Sequence, residues 1–418
     1  MKLVVVASGD FFSDYGGGQV YVRNIVDELS QLQEINTTVV SFNRSQRPSI
    51  RKYKDISVYQ INDGTGLEDT LKELSPDVVH ANGEKLLTSR VCKCLNIPCV
   101  VTAHHGGIVC PAGTLINTND EICCIPADYT HCLKCYLRHT PTGLMWYPLL
   151  KRCSQENYLK FGRLLKRLPF MPFVSPIGET GLIVTQKINE WQELYGNVTL
   201  FISPSDAMAD ALRRNGCPSS KITVVPHGIP TIELGTQRIM SDKTPITKFY
   251  YIGRINYVKG IHVLLKAFES IDNTNIELHL IGGPGNKSEL RYQNKLKRKY
   301  RHDKRIVWHG KVPFEQATEM IREYHCLIHP AIYLEVFGLN ISEALAQHKY
   351  VIATRCGGAE MQIHDKSAGL LVPPNSPSEI ANAIHTYISN TLEAHCRVKN
   401  IKEHVCELIK TYETVIKS

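Results

Sequence analysis

The stretch that decides the fold is residues 329–346, which read HPAIYLEVFGLNISEALA. The apolar residues just before it, 326–328, predict a short buried strand. Ile341, Ala344 and Leu345 follow a helical spacing, so we expect a helix to begin near Leu339. Gly338 then lies in the turn that leads into this helix. Strand, loop and helix in this order predict an α/β unit.

Two kinds of ligand-binding group come together in this stretch. The first turn of a helix has unpaired backbone amides that attract an anion, and here those amides belong to Phe337, Gly338, Leu339 and Asn340. Glu335 precedes the helix and Glu343 lies inside it, and carboxylates accept hydrogen bonds from sugar hydroxyls. Amides for phosphate and carboxylates for hydroxyls predict a nucleotide-sugar site. The alternative is an ordinary strand–loop–helix with two exposed glutamates.

The segments that follow extend this pattern. A buried strand at 350–354 leads to Gly357-Gly358-Ala359-Glu360, and then to the apolar run at 368–374. In order and spacing, residues 330–374 resemble the E-x7-E region of the family 4 retaining glycosyltransferases. The resemblance implies an α/β protein of the GT-B fold, with two Rossmann-like domains facing an interdomain cleft.

Length and charge set bounds on the protein. The 418 residues suggest two to three domains, at roughly 150 residues per domain. The net charge of +8 suits anionic substrates or an anionic membrane surface. No nucleic-acid motif accompanies it, so we expect no nucleic-acid partner. The sequence starts without a signal-peptide pattern and has no run of ~20 apolar residues, so we expect a cytoplasmic protein.

The first half begins as an α/β unit. An apolar strand at 3–7 precedes a loop ending in Gly16-Gly17-Gly18, and a helical pattern follows. The resemblance implies that Gly17 and Gly18 lie beside the donor diphosphate and the acceptor. His104 follows the predicted strand at 99–102, and the resemblance implies that it contacts the donor sugar; His105 is the alternative. Carboxyl ends of strands are where such sheets place ligands.

A cysteine cluster follows, within an insertion at about 105–140 that resembles one found in some family 4 members. Cys132 and Cys135 have the spacing of a metal knuckle, and Cys110 and Cys123 complete a set of four thiolates. His131 and His139 are alternative ligands. One interpretation is a structural zinc that staples a loop on the acceptor side. The other is a set of unrelated buried thiols, or disulfides formed on oxidation.

Residues 146–172 alternate basic and apolar side chains. One interpretation is a helix lying peripherally on a membrane surface; the other is a solvated helix on the domain exterior. Family 4 enzymes often act on lipid-linked acceptors at the cytoplasmic face, which favours the first.

The second half restarts the α/β series with a strand at 249–252. Arg254 and Lys259 match the diphosphate-binding pair of the family, and two fixed cations stabilise a leaving diphosphate without a catalytic divalent metal. Gly282 is predicted to line the nucleotide pocket, and Val312 lies in the loop that resembles the base-binding segment. We expect domains at 1–230 and 231–400, with 401–418 as a helix crossing back to the first domain.

These observations predict a retaining hexosyltransferase. It would move a sugar from a nucleoside diphosphate to a hydroxyl of a glycan or lipid-linked acceptor. The predicted catalytic residues are Glu335, His104, Arg254 and Lys259. The alternatives are a nucleotide-sugar 2-epimerase of the same fold and a non-catalytic nucleotide-sugar-binding subunit.

Overall fold

The computed structural model describes the chain apart from residues 8, 13–15, 44–46, 139–142, 153, 167–174, 232–245, 391, 393 and 418. The chain divides into two compact units. The first contains residues 1–118, 123–228 and 401–418, and the second contains residues 119–122 and 229–400. The C-terminal helix therefore belongs to the first unit, although it follows the second in sequence.

The first unit is built on an eight-stranded sheet with the order β3-β4-β2-β1-β5-β6-β7-β8. All of these strands pair in parallel except β3 with β4. The strands are β1 (Lys2–Val6), β2 (Asn36–Phe42), β3 (Ser49–Tyr53), β4 (Ile56–Ile61), β5 (Val78–Ala81), β6 (Cys99–Thr102), β7 (Leu200–Ser203) and β8 (Ile222–Val224).

Strand β3 is absent from our sequence interpretation. Its residues, Ser49–Tyr53, are exposed apart from the partly buried Tyr53, and it pairs antiparallel at the edge of the sheet. A strand that buries neither face leaves no apolar alternation in the sequence, so periodicity has nothing to detect. The central strands bury both faces, and their continuous apolar runs made them predictable.

Helices of the first unit cover its sheet. They are α1 (Gly17–Leu29), α2 (Gly64–Leu74), α3 (Lys85–Cys94), α4 (Tyr129–Leu137), α5 (Gly143–Leu150), α6 (Gln155–Lys166), α7 (Ser175–Asn197), α8 (Asp206–Arg214) and the C-terminal α15 (Ile401–Lys417). Val405 and Leu408 of α15 lie in the same apolar core as Ile25 of α1. Burial of this stripe attaches α15 to the first unit.

The second unit is built on a six-stranded parallel sheet with the order β11-β10-β9-β12-β13-β14. Its strands are β9 (Thr247–Ile252), β10 (Ile276–Ile281), β11 (Ile306–Gly310), β12 (Cys326–His329), β13 (Tyr350–Thr354) and β14 (Gly369–Val372). Its helices are α9 (Ile261–Glu269), α10 (Lys287–Lys299), α11 (Phe314–Arg322), α12 (Leu339–Ala346), α13 (Gly358–Gln362) and α14 (Pro377–Asn390). Among the described residues, no helix combines the length and apolar character needed to cross a membrane.

Gly260 lies where two loops come into contact at the carboxyl edge of this second sheet. It follows the short 3-10 turn Tyr257–Lys259 and has φ +71°. A Cβ atom at Gly260 would lie 1.8 Å from the carbonyl oxygen of Pro330, in the loop after β12. Only glycine permits this backbone approach, which brings the loop carrying Lys259 against the loop carrying Glu335.

Replacing Gly260 by alanine is expected to destabilise the protein by at least about 3 kcal/mol. The left-handed backbone costs about 1 kcal/mol for a side chain, and the collision with a backbone carbonyl adds overpacking strain. Chemical denaturation followed by circular dichroism measures the change. Gly310→Ala is the matched control, because Gly310 has φ +76° but no atom within 4 Å of the added Cβ. Equal losses in the two variants would contradict the packing argument.

Candidate functional site

The loop between β12 and α12 is fixed by backbone hydrogen bonds around Glu335. The amide of Glu335 donates to the carbonyl of Cys356 at 2.8 Å, and the amide of Gly358 donates to the carbonyl of Glu335 at 2.8 Å. A Cβ atom at Gly358 would lie 2.3 Å from Phe337 backbone atoms. The loop after β13 therefore packs directly against this segment and holds the main chain of Glu335 in place.

Three side chains approach one oxygen of Glu335. The ammonium of Lys259 forms an ion pair with Oε2. The Tyr333 hydroxyl donates to the same atom at 2.8 Å, and Nε2 of His329 lies 3.5 Å from it. Both charged side chains are largely buried, with 21% of Lys259 and 13% of Glu335 exposed. Paired buried charges of this kind stay ionised, because each partner compensates the desolvation of the other.

The pKa shifts of Lys259 and Glu335 reflect two opposing effects, burial and the charge of the partner. Burial alone would lower the pKa of Lys259, but the Glu335 carboxylate outweighs it and raises the pKa well above its usual value. Burial would likewise raise the pKa of Glu335, and here Lys259, together with His329, lowers it. The structure therefore presents an ammonium and a carboxylate side by side at neutral pH.

Helix α12 begins at Leu339, as its spacing predicted, and no described side chain caps it. Gly338 precedes it with φ +84°, in the left-handed region that favours glycine. The Gln362 amide donates to the carbonyl of Phe337 at 2.6 Å, which holds the turn from the α13 side. A Cβ atom added at Gly338 would lie 3.5 Å from Cγ of Glu335. The helix terminus and the carboxylate are therefore neighbours.

Arg254 follows β9 in the same loop as Lys259, but its guanidinium faces elsewhere. Its Nε donates to Glu289 at 2.7 Å, and the amide of Gly285 donates to the same carboxylate oxygen, also at 2.7 Å. Among the described residues, no hydrogen bond joins Arg254 to Lys259 or Glu335. The structure brings together Lys259, Glu335 and Gly338, and leaves the 52%-exposed Arg254 side chain paired with Glu289.

Glu343 lies in α12, about one turn beyond the helix start at Leu339. Burial of its carboxyl raises the pKa to about 7. The nearby Tyr250 phenol feels the Glu343 charge, which adds to the strong rise that burial gives the pKa of Tyr250. A carboxyl that titrates near neutrality changes its hydrogen-bonding role with pH, since the ionised form only accepts whereas the protonated form also donates through its O–H group.

The remaining predicted residues of the second unit have structural explanations. Gly282 has φ +127°, and a Cβ there would lie 1.9 Å from the carbonyl oxygen of Gly253. Contact between the loops after β9 and β10 thus requires glycine. Val312 is partly buried against the apolar core of this unit. The proposed contacts of both residues with a nucleotide stay predictions.

In the first unit, His104 lies two residues beyond the end of β6 and is partly buried. Its Nε2 contacts Oδ1 of Asn82 at 2.7 Å, and its ring packs edge-on against Tyr21 at 4.9 Å. Burial lowers the pKa of His104 well below its usual value, so the ring is neutral at pH 7. The exposed His105 instead accepts from the amide of Gly107 at 3.0 Å. Of the two histidines, the structure joins His104 to a buried polar network.

Gly17 and Gly18 form the first turn of α1, after the undescribed residues 13–15. A Cβ atom at Gly18 would meet nothing within 4 Å, so local packing does not require glycine there. The roles predicted for Gly17 and Gly18 beside a ligand stay predictions.

The four cysteines Cys110, Cys123, Cys132 and Cys135 line one cavity of about 200 Å³. Burial raises the pKa of Cys132 to about 12, so this thiol is protonated at neutral pH. His131 also lines the cavity, and its Nδ1 pairs with Asp128; His139 lies outside the described residues. Within the described part of the chain, no three His, Cys, Asp or Glu side chains are placed to hold a metal ion. The structural zinc therefore stays a prediction.

Sequence reasoning missed three residues of the second unit that shape the site: His329, Tyr333 and Glu289. His329 and Tyr333 contact Glu335, and Glu289 fixes Arg254. One signal was available, because His329 is the last residue of a buried strand and His104 likewise lies close to the end of one. Tyr333 and Glu289 carry no such signal, since a tyrosine in a loop and a glutamate in a helix are ordinary surface residues.

Glu343→Gln is expected to make the folded protein less sensitive to pH between 5 and 8. The folded state keeps the Glu343 proton up to about pH 7, whereas the unfolded chain loses it near the ordinary value of 4.5. Ionisation on raising the pH therefore costs wild-type stability, at most about 3 kcal/mol, since each pKa unit corresponds to about 1.4 kcal/mol. The variant lacks this loss.

Urea denaturation of both proteins at pH 5 and pH 8 tests this expectation. The stability of Glu343→Gln relative to wild type should increase with pH. Glu379→Gln, in the exposed face of α14, is the control and should show no such change. A pH-independent difference for Glu343→Gln would show that its carboxyl has an ordinary pKa.

Comparison with known proteins shows which sequences resemble this chain. Residues 239–404 match the family described as glycosyl transferases group 1. The chain is 27% identical over 222 residues to the D-inositol 3-phosphate glycosyltransferase of Corynebacterium glutamicum, covering 48% of this chain and 51% of that protein. It is 30% identical over 218 residues to the lipopolysaccharide 1,2-N-acetylglucosaminetransferase of Salmonella typhimurium, covering 47% and 55%. The chain thus spans about half the length of the curated relatives it matches.

Solved structures extend the likeness to the whole fold. Anabaena HepE, solved in complex with UDP and glucose, is similar with a TM-score of 0.62 at 15% identity, covering 100% of this chain and 97% of that one. This confirms the predicted two-domain α/β fold of GT-B type. The chain has the GT-B fold, and its residues 239–404 match the glycosyl transferases group 1 family.

Proposed function

We propose that this protein is a retaining glycosyltransferase. It transfers a hexose-type sugar from a nucleoside diphosphate to a hydroxyl of a glycan or lipid-linked acceptor. The observation that carries the proposal is the Lys259–Glu335 ion pair beside the uncapped start of α12. The family match over residues 239–404 and the glycosyltransferase names of the curated relatives support it.

The site offers one group for each part of a nucleotide sugar. The ammonium of Lys259 and the first-turn amides of α12 attract the diphosphate. Glu335 accepts hydrogen bonds from the sugar hydroxyls, and Glu343 accepts those of the ribose once it is ionised. Arg254 is a second cation for the diphosphate if its guanidinium leaves Glu289. That exchange is cheap, because an ion pair with an exposed partner contributes about 0–1 kcal/mol.

In the proposed reaction, negative charge develops on the diphosphate beside Lys259 and the first-turn amides of α12. The bond between the anomeric carbon and the diphosphate oxygen breaks, and the diphosphate gains negative charge that Lys259 and the helix amides stabilise. The acceptor oxygen bonds to the anomeric carbon on the face that the leaving group vacates, which retains the configuration. The acceptor proton passes to the departing phosphate oxygen, so no divalent metal and no protein nucleophile is needed in this scheme.

The acceptor side of the proposal rests on the first unit. His104, neutral and hydrogen-bonded to Asn82, is proposed to contact the donor sugar or position the acceptor. Gly17 and Gly18 are proposed to let a ligand approach the start of α1. A lipid-linked acceptor would place the protein peripherally at a membrane surface, with the basic residues of 146–172 as the contact. Residues 153 and 167–172 of this segment lie outside the described part of the chain.

A panel of UDP-, GDP- and ADP-sugars tests the donor class. We expect one nucleotide family to raise the melting temperature, because a ligand that binds only the folded state stabilises it. HepE binds UDP and glucose, so UDP-glucose is the first donor to test. Proton NMR of the product made with sugar acceptors should show the anomeric configuration of the donor. An inverted product would refute the retaining mechanism.

Glu335→Gln is expected to reduce transfer by at least about 100-fold, because the neutral amide has one acceptor oxygen instead of two and does not neutralise Lys259. Glu379→Gln is the control. Conversion of the donor into a different nucleotide sugar in the absence of any acceptor would indicate an epimerase. Nucleotide-sugar binding with no transfer to any acceptor, in wild type and variant alike, would indicate a non-catalytic subunit.

A further inference from the structure

The imidazole of His329 lies between Asn340 and Glu335. His329 is the last residue of β12 and is 1% exposed. Its Nδ1 lies 3.2 Å from Nδ2 of Asn340, and its Nε2 lies 3.5 Å from Oε2 of Glu335. The ring thus connects the first turn of α12 to the carboxylate that is proposed to hold the donor sugar.

The orientation of the Asn340 amide is fixed by a backbone carbonyl. Nδ2 of Asn340 donates to the carbonyl oxygen of Ile252 at 3.1 Å. A carbonyl only accepts, so the reversed amide would place two oxygens against each other. The NH2 group of Asn340 therefore also faces His329, and it has hydrogens for both contacts.

This orientation selects the tautomer of His329. Because an NH2 group only donates, the Nδ1 atom it faces must be the acceptor, and the ring hydrogen lies on Nε2. Nε2 is buried and has no hydrogen-bond partner among the described residues; Oε2 of Glu335, at 3.5 Å, is the acceptor beside it. The N–H group therefore faces an acceptor at the limit of hydrogen-bond distance.

Within the described part of the chain, the contacts of the Glu335 carboxylate all fall on Oε2. They come from Lys259, Tyr333 and His329. Lys259 and Tyr333 donate to this oxygen and the His329 ring lies beside it, so rotation of the carboxylate would break both hydrogen bonds. Oε1 is the atom left to accept from a ligand. A fixed acceptor of this kind lowers the cost of orienting a sugar hydroxyl.

We propose that His329 is a positioning residue, which orients the Glu335 carboxylate through Nε2–H in the tautomer that Asn340 selects. The proposal rests on the proposed function, because Glu335 is taken as the group that holds the donor sugar. His329 itself does not touch the substrate. Its effect is to keep Oε1 of Glu335 aimed at one hydroxyl position.

His329→Leu and His329→Gln test this role as a matched pair. Leucine fills the buried space without a donor, whereas the glutamine amide nitrogen replaces Nε2–H. With UDP-glucose as donor, we expect His329→Leu to lose at least about tenfold in kcat, because the N–H group beside the Glu335 carboxylate is lost. We expect His329→Gln to stay within about threefold of wild type. Affinity for UDP alone, measured by calorimetry, should be unchanged in both variants.

Three outcomes of this pair overturn the proposal. They are wild-type kcat in folded His329→Leu, an equal loss in both variants, and a loss of UDP affinity that accounts for the whole change. Wild-type protein that binds UDP and UDP-glucose equally and transfers no sugar would instead overturn the proposed function. The tautomer of His329 is tested separately, by a measurement that needs no substrate.

Nitrogen NMR of 15N-histidine-labelled protein reads the tautomer directly. The His329 signal is assigned by its disappearance in His329→Gln, and we expect the shift pattern of a neutral ring with its hydrogen on Nε2. Asn340→Leu removes the amide and should allow both tautomers. It should also reduce kcat by at least about threefold in wild type, but by less than about 1.5-fold in the His329→Gln background. A ring hydrogen on Nδ1, or equal effects of Asn340→Leu in both backgrounds, would refute the link.

Discussion

The ion pair between Lys259 and Glu335 connects two loops that are 76 residues apart in sequence. Both side chains are mostly removed from water, so neither charge is tolerated without the other. The backbones of the same two loops are also in close contact, because the approach of Gly260 to the Pro330 carbonyl leaves no room for a side chain. One electrostatic contact and one steric contact therefore hold the loops after β9 and β12 together at the carboxyl edge of the sheet.

This arrangement is the basis of the proposed nucleotide-sugar site. Lys259, Tyr333 and His329 meet at one oxygen of Glu335, while the start of α12 stays uncapped next to it. An anion at the helix terminus would share the Lys259 charge with Glu335 instead of requiring a new cation. A site whose groups are already fixed spends less of its binding energy on reorganisation, which is the physical basis of tight transition-state recognition.

Burial explains how far the fold was predictable. Strands such as β1, β9 and β13 are apolar on both faces, and their runs are visible in the sequence. The edge strand β3 is exposed and polar, so it leaves no such signal. The start of α12 at Leu339 was predicted because apolar spacing and the preceding glycine agree there.

The sequence by itself determined which residue types follow each strand: Arg254 and Lys259 after β9, and Glu335 and Gly338 after β12. It determined these because each lies a fixed, short distance beyond an apolar run. Only the tertiary structure decided their partners. Arg254 turns to Glu289, while His329 and Tyr333 join Lys259 at Glu335. These contacts depend on packing between elements that are far apart in the chain. The rotamer of a side chain decides which neighbour it contacts, and a local sequence pattern does not predict that rotamer.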